Sequence, residues 1–162
     1  MSIETVKDYF KQFGRENDIL VFDTSSATVE LAAQTLQVIP ARIAKTLSFL
    51  NGDGCILVVT AGDAKIDNSS YKHEFGLKAK MLTPEQAIEY TGHAVGGVCP
   101  FALANPATKV YLDVSLQRFD TVFPAAGSSN SAIELTCNEL AQYSGAQKWV
   151  DVCKGWREDS QI

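Results

Sequence analysis

Short apolar stretches alternate with polar turns along the chain, and this pattern predicts helices interleaved with strands. Apolar residues at helical spacing between Ile3 and Phe13 predict a first helix. The apolar runs 46–50 and 55–60 flank a turn at 51–54 and predict a β-hairpin. Several later strands follow one another without an intervening helix. We therefore expect one mixed α/β (α+β) domain and not a regular βαβ array.

Three helix starts are marked by capping residues. Thr28 is placed to cap a second helix, and Thr83 with Gln86 forms the pattern of a capping box. The same pattern recurs at Thr136 and Glu139, where it predicts the last helix. The remaining apolar runs predict further strands at 110–113, 122–123, 133–135 and 149–152.

A lysine lies inside an apolar run, Ile43-Ala44-Lys45-Thr46-Leu47. Pro40 suits the first turn of a short helix that reaches about Ala44. Lys45 is then expected at the junction of that helix with a strand, which is a rigid place for a functional side chain. The alternative is that Lys45 buries only its stem and keeps its ammonium in water, as surface lysines commonly do.

The bulk composition is that of an ordinary globular protein. The 162 residues fit a single domain over 1–152, followed by a polar tail over 153–162 that we expect to fray. The chain has no apolar run long enough to span a membrane and no signal-peptide layout at its start, so we expect a cytoplasmic protein. A net charge of −5 argues against wrapping DNA or a long RNA backbone, although it allows contact with one end of a nucleic acid.

Metal and nucleotide sites are not indicated. The four cysteines are scattered, and the two histidines, His73 and His93, give no zinc-ligand spacing. The sequence contains no phosphate-binding loop and no Gly-x-Ser-x-Gly motif. We therefore expect neither a metal nor a cofactor.

The stretch Gly96-Gly97-Val98-Cys99-Pro100-Phe101 is the strongest candidate for a binding loop. Paired glycines let backbone amides approach a ligand closely, because no Cβ blocks the way. Such a loop together with Lys45 suggests a site for a small anionic or carbonyl-bearing ligand. By itself the loop could equally be a tight turn that only reverses the chain.

Two further polar segments are weaker candidates by composition alone. Thr24-Ser25-Ser26 precedes the second helix, and the segment from Phe123 to Ser131 is rich in small residues and hydroxyls. Either could be a solvated loop. Cys99 would need a neighbouring base to act as a nucleophile, and the sequence places neither histidine beside it. An inert or ligand-lining thiol is the better interpretation of Cys99.

Taken in order, these segments resemble the YbaK and prolyl-tRNA synthetase-associated domain family. The resemblance rests on 24–30, on 41–47, on the loop from Gly96 to Phe101 and on 126–128, and it covers roughly residues 1–152. It implies a mixed, partly barrel-like sheet flanked by helices. It also implies a trans-acting aminoacyl-tRNA deacylase that hydrolyses mischarged tRNA, with tRNA for proline carrying a small wrong amino acid as the expected substrate.

The resemblance also implies the site. Lys45, Gly96 and Gly97 correspond to the catalytic positions, with the glycine amides as oxyanion donors and Lys45 as a fixed positive charge. The residues expected to bind substrate are Thr24, Ser25, Ser26, Val98, Cys99, Pro100, Phe101, Gly127, Ser128 and Ser129. Some relatives have a histidine in the segment aligned with 123–131, and this chain has none there.

Partners and alternatives follow from the same resemblance. The expected partner is the acceptor end of an aminoacyl-tRNA, with an aminoacyl-tRNA synthetase as a further partner. A non-catalytic module that holds an aminoacyl end or a nucleotide is the main alternative. A general esterase that uses Cys99 as its nucleophile is a third possible function.

The sequence does not identify which amino acid is removed from the tRNA. Alanine, cysteine, serine, threonine and small non-protein amino acids all fit, because one methylene changes pocket affinity by only about 1–3 kcal/mol.

Overall fold

The computed structural model describes residues 2–24 and 28–157. Five helices are described: α1 (Ser2–Lys11), α2 (Val29–Leu36), α3 (Asn68–Phe75), α4 (Pro84–Thr91) and α5 (Cys137–Ser144). The strands in chain order are β1 (Leu20–Val21), β2 (Ile43–Asn51), β3 (Gly54–Ala61), β4 (Lys65–Ile66), β5 (Lys109–Asp113), β6 (Thr121–Pro124), β7 (Ser131–Ala132), β8 (Leu135–Thr136), β9 (Trp149–Val150) and β10 (Cys153–Lys154).

A curled six-stranded sheet organises the fold, in the order β8-β6-β2-β3-β5-β9. Strands β2 and β3 are antiparallel, whereas β6 beside β2 and β5 beside β3 are parallel. Two short ribbons, β1 with β7 and β4 with β10, complete the strand pairing. The predicted mixed α/β class is confirmed.

The core lies on both faces of this sheet. Strand β3 is apolar and almost wholly buried from Cys55 to Ala61, as expected of a strand covered on both sides. Helix α1 contributes Val6 and Phe10, both fully buried. The Phe10 ring meets that of Phe101 edge to face, with 4.9 Å between the centroids.

The local signals for helix starts agree with the structure. The Thr28 side chain accepts a hydrogen bond from Leu31 N and caps α2. Both predicted capping boxes are present, at Thr83 before α4 and at Thr136 before α5. These starts depend on contacts within one turn, which is why a short sequence pattern predicts them.

The approach to β2 differs from the prediction. The helical turn that begins at Pro40 is a 3₁₀ turn that ends at Arg42, and β2 already begins at Ile43. Ile43 packs with Ala33 and Phe123 in a small apolar cluster, and this burial extends the strand toward its start. Lys45 is therefore the third residue of a strand and does not lie at a helix–strand junction.

The C-terminal part of the chain also differs. The predicted strand 133–135 is replaced by two short strands, β7 and β8, on either side of Ile133 and Glu134. The predicted strand 149–152 is shorter, and the segment 153–162 that was expected to fray begins with two paired residues, Cys153 opposite Ile66 and Lys154 opposite Lys65. Helix α3 was not predicted, because Tyr71 is its one buried residue and its apolar periodicity is weak.

Candidate active site

A cavity of about 330 Å³ opens beside strand β2. Strand β6 runs parallel to β2 and pairs with it only at Ile43–Phe123 and Ala44–Pro124. Beyond these pairs the two segments are no longer paired with each other. The cavity occupies the gap between them. Its wall consists of α2, residues 43–48 of β2, residues 81–82, and parts of two loops at 95–98 and 123–132.

Five of the residues predicted for the site line this cavity. They come from three separate segments of the chain: Lys45, Gly96, Val98, Ser128 and Ser129. The fold therefore brings the lysine, the glycine loop and the hydroxyl-rich loop to one place.

The other predicted residues do not line the cavity. Thr24 is exposed and lies outside the wall, and Ser25 and Ser26 lie outside the described residues. Pro100 and Phe101 are buried behind the loop, where Phe101 packs in the core. The expectation that they contact substrate does not fit this arrangement, because the chain turns inward after Val98.

Lys45 is a half-buried cation. Burial lowers the pKa of its ammonium below the ordinary value, whereas the Cys153 thiol group and the carboxylates of Asp63 and Glu30 act in the opposite direction. Within residues 2–24 and 28–157, its ammonium has neither a hydrogen bond nor an ion pair. A cation of this kind is most favourably satisfied by an anionic or carbonyl oxygen brought in by a ligand.

The two glycines of the loop have different tasks. Gly96 lines the cavity with a positive φ of 94°, a conformation that side-chain-bearing residues rarely adopt. The Gly97 N–H donates to Ala94 C=O at 2.9 Å, and a Cβ on Gly97 would lie 2.8 Å from Ser128 Cα. The predicted use of the Gly97 amide as an oxyanion donor does not fit, because that amide already closes a turn.

Other residues of this loop line the cavity. Gly96 and Val98 both line it, and in the described part of the chain neither backbone N–H makes a hydrogen bond. These two amides are the donors that a bound oxyanion could use. The prediction that backbone amides of this loop act as oxyanion donors therefore applies to Gly96 and Val98 and not to Gly97.

The hydroxyl-rich loop is internally bonded. The Ser128 hydroxyl donates to Asn130 Oδ1 at 2.7 Å, and Ser128 N–H donates to Ser131 Oγ at 3.2 Å. Asn130 Nδ2 in turn donates to Phe22 C=O at 2.9 Å. These contacts fix the loop against the neighbouring ribbon, so Ser128 presents a rigid surface to the cavity.

Gly127 supports this loop from behind. It has a φ of 100°, and a Cβ at this position would lie 2.8 Å from Ser2 C=O and 2.9 Å from a Val6 methyl. Gly127 is buried and does not line the cavity. Its part is therefore to let the loop pack on α1, and the prediction that it contacts substrate does not fit.

Cys99 lies outside the cavity wall and is fully buried. Burial raises the pKa of its thiol to about 12, so the thiolate is not formed at neutral pH. Although the sequence placed neither histidine beside this residue, His93 Nε2 lies 3.5 Å from its sulfur. This contact does not create a nucleophile, because burial lowers the pKa of His93 while it raises that of Cys99, and both shifts disfavour transfer of the thiol proton to the ring.

Several wall residues were missed from the sequence. Thr46 and Ser48 follow Lys45 along the strand, and Val29, Ala32 and Leu36 form the facing stripe of α2. Apolar residues at such helical spacing also fit ordinary core packing. Nothing in the sequence distinguished a helix face that borders a cavity from one that is simply buried.

No group of three or more possible ligands among His, Cys, Asp and Glu lies close enough to hold a metal ion within 2–24 and 28–157. A search of the same residues for a helix with the length and apolar character to cross a bilayer found none. The described residues that line the cavity supply a cation, Lys45, and hydroxyls within a largely apolar wall.

Comparison with known proteins agrees with this picture. Residues 23–143 match the family model of the aminoacyl-tRNA editing domain. The chain belongs to this family. Membership of the editing-domain family supports a deacylase role for this protein.

Three relatives illustrate the range of the family. The uncharacterised protein YwhH of Bacillus subtilis is 59% identical over 96% of this chain and 99% of its own length. The proline–tRNA ligase of Thermosipho melanesiensis is 27% identical over 82% of this chain, which spans only 23% of that enzyme. A crystal structure of a candidate trans-editing enzyme for prolyl tRNA synthetase superposes with a TM-score of 0.86 and 28% identity, over 95% of this chain and 98% of the other.

Proposed function

We propose that this editing domain acts in trans and hydrolyses the ester bond of mischarged aminoacyl-tRNA. The observation that carries the proposal is the Lys45 ammonium, which is half-buried, lines the cavity and has no partner in the described part of the chain. An enclosed cation without an internal partner is matched to a ligand that brings its own negative or carbonyl oxygen. The 3′ end of an aminoacyl-tRNA carries both kinds of oxygen.

The reaction needs little from the protein beyond placement. A water attacks the ester carbonyl, the bond to the terminal ribose oxygen breaks, and that oxygen leaves with a proton to give the free amino acid and uncharged tRNA. The ester is already activated, so the protein need not supply a nucleophile. Lys45 anchors the terminal phosphate or the amino-acid carbonyl as a fixed charge and does not act as a base.

The developing oxyanion is stabilised by backbone amides. Gly96 and Val98 line the cavity, and their N–H groups make no hydrogen bond to other groups of the described chain. Donors held rigidly in place cost no reorganisation during the reaction, and one such donor contributes about 3–4 kcal/mol in well-studied hydrolases. Rigidity is supplied by the turn at Gly97 and by its packing on the Ser128 loop.

The preferred substrate is tRNA for proline that carries a small wrong amino acid. Support comes from the likeness to proline–tRNA ligases and to the candidate trans-editing enzyme for prolyl tRNA synthetase. A cavity of about 330 Å³ must hold part of the terminal nucleoside as well as the amino acid, which favours small side chains. An acidic protein that contacts only the acceptor end is consistent with the net charge of −5.

The deciding experiment is deacylation of a panel of tRNAs. Proline tRNA charged with alanine, cysteine, serine, threonine or proline is incubated with the purified protein, without ATP or added metal. We expect turnover of at least one mischarged species and little turnover of the correctly charged one. Lys45→Met, which we expect to be strongly impaired, serves as the comparison. Binding without turnover across the whole panel would show that the protein is a non-catalytic module that only binds aminoacyl ends.

A further inference from the structure

Among residues 2–24 and 28–157, the edge of strand β2 is left unpaired at one residue, Thr46. Leu50 N–H donates to Lys80 C=O at 2.8 Å, and Leu82 N–H donates to Ser48 C=O at 3.2 Å, both on the side away from β3. Backbone groups of alternate residues point to the same edge of a strand. The N–H and C=O of Thr46 therefore point to this edge as well.

The open stretch is bounded on both sides. Toward the start of the strand, Ala44 is the last residue paired with β6. Toward its end, Ser48 and Leu50 are covered by the segment around Lys80. Between them Thr46 lines the cavity, and among the described residues neither its N–H nor its C=O has a partner. The edge thus offers one donor and one acceptor, spaced for a single residue.

An aminoacyl ester has the complementary groups. In an antiparallel pair, two opposed residues exchange both N–H···O=C bonds when they form a hydrogen-bonded pair. In an aminoacyl-tRNA, the α-ammonium and the ester carbonyl group are attached to the same Cα. The N–H and C=O groups of one strand residue are arranged in the same way. The Lys45 side chain leaves the strand across the sheet, whereas these edge groups lie in its plane, so the two contacts do not compete.

We propose that the Thr46 backbone binds the aminoacyl unit as a one-residue strand. Thr46 C=O accepts a hydrogen bond from the α-ammonium, and Thr46 N–H donates to the ester carbonyl. The inference rests on the proposed deacylase function and specifies how that site holds its substrate. It makes a free α-amino group a requirement, so esters with a blocked amino group are poor substrates.

A proline substitution tests the donor directly. Thr46→Pro removes the N–H, and proline is tolerated at strand edges where that N–H lies outside the ladder. Thr46→Val is the matched control, because it keeps the N–H and the shape of the side chain. We expect the kcat of Thr46→Pro to be about 100-fold lower than that of Thr46→Val, as for loss of one oxyanion donor. Circular dichroism and thermal melting check that both variants fold.

The acceptor is tested on the substrate. The best mischarged tRNA from the panel is N-acetylated, and wild-type hydrolysis of the acetylated and free forms is compared. We expect the acetylated ester to react at least ~10-fold more slowly, since a hydrogen bond to a charged group is lost and the acetyl group enters the edge. If Thr46→Pro does not fold, the comparison of free and acetylated substrates tests the proposed binding mode by itself.

The outcomes separate this inference from the proposed function. Equal activity of folded Thr46→Pro and Thr46→Val, or equal rates for the free and acetylated esters, would overturn the binding mode while leaving the deacylase intact. Inactivity of the wild-type protein toward every charged tRNA would instead remove the proposed function on which it rests.

Discussion

The sulfur of Cys99 lies 3.5 Å from Nε2 of His93, yet the two do not form a catalytic pair. His93 Nε2 also lies 2.8 Å from Phe101 C=O, which only accepts, so this nitrogen carries the ring proton. It is therefore unable to take a proton from the thiol. His93 Nδ1 accepts from the Ser2 hydroxyl, and the ring joins α1 to the back of the glycine loop.

The first prediction concerns this thiol. We expect Cys99→Ala to retain deacylation within about threefold and to lose roughly 1 kcal/mol of stability, because it removes one buried atom from a packed site. Cys55→Ala is the control, since Cys55 is equally buried and lies outside the cavity wall. Rapid quench with mass spectrometry should find no acyl-enzyme. An adduct on Cys99 would establish a thiol esterase instead.

The second prediction concerns Lys45. Lys45→Met should lower kcat/KM by roughly 10- to 150-fold, which corresponds to losing a charge-assisted hydrogen bond worth about 1.5–3 kcal/mol. Lys45→Arg should also be poor, because a planar guanidinium does not replace a compact ammonium. Lys109→Met, which alters an exposed lysine on β5 outside the cavity wall, is the control. Near-wild-type activity of Lys45→Met would remove Lys45 from the site.

The third prediction follows from the pKa of Lys45. Burial lowers this pKa below 10.5, so the folded protein binds fewer protons than the unfolded chain in the window between the two values. Stability therefore rises with pH through that window, and Lys45→Met should be more stable than wild type at pH 7 but lose this advantage above pH ~10.5. Chemical denaturation of both proteins across pH measures this. An advantage that does not change with pH would contradict the assignment.

The same titration predicts how ligand binding changes. Affinity for a non-hydrolysable analogue, with the amino acid amide-linked to the tRNA end, should fall as pH rises through the lowered pKa of Lys45. Lys45→Arg keeps its charge over this range, so whatever affinity it has should not change. A parallel decline in both proteins would point to another titrating group.

The fourth prediction separates structural from chemical glycines. A Cβ on Gly97 would lie 2.8 Å from Ser128 Cα and 2.9 Å from Gly127 C=O, so Gly97→Ala must move two loops apart. We expect a loss of about 1–3 kcal/mol in stability together with lower activity. Gly54→Ala is the control, because its nearest contact would be an ordinary 3.7 Å to Asn51 C=O. Unchanged melting of Gly97→Ala would show that the loops are not packed as described.

The sequence was most informative where the cause is local. The capping boxes at Thr83 and Thr136 and the cap at Thr28 depend on neighbours within one turn, and all three are present. The tight loop at 96–97 was also visible. What could not be predicted is the different use of its two glycines, since the constraint on Gly97 comes from Ser128, which is distant in sequence.

The site shows the same division between local and distant causes. Lys45 and Gly96 were identified through the ordered motifs, and both line the cavity. The cavity itself arises because β6 leaves β2 after Ala44, a tertiary event with no local pattern. Thr46 and Ser48 were consequently interpreted as ordinary strand residues. Their importance depends on which strand edge is left uncovered.

The last prediction concerns Ser48, which lines the cavity with only 8% of its surface exposed. Its hydroxyl has no hydrogen-bond partner in the described part of the chain. A hydroxyl that is fully buried and has no hydrogen-bond partner would destabilise the folded state. In that same part of the chain, the only side-chain nitrogen or oxygen that is both fully buried and unpaired is Trp156 Nε1. The Ser48 hydroxyl is therefore reachable from the cavity, where it can meet a polar group of the bound amino acid.

Ser48→Ala should change substrate preference more than overall activity. Loss of one neutral hydrogen bond, about 0.5–1.5 kcal/mol, lowers kcat/KM for seryl- and threonyl-tRNA by about 2- to 12-fold and leaves alanyl-tRNA almost unchanged. Thr60→Val is the control, since it removes a buried hydroxyl that lies outside the cavity wall. Competition between seryl- and alanyl-tRNA in one reaction measures the preference directly. An equal decline for all three substrates would mean that the hydroxyl contacts the ribose, which every substrate shares, and not the amino-acid side chain.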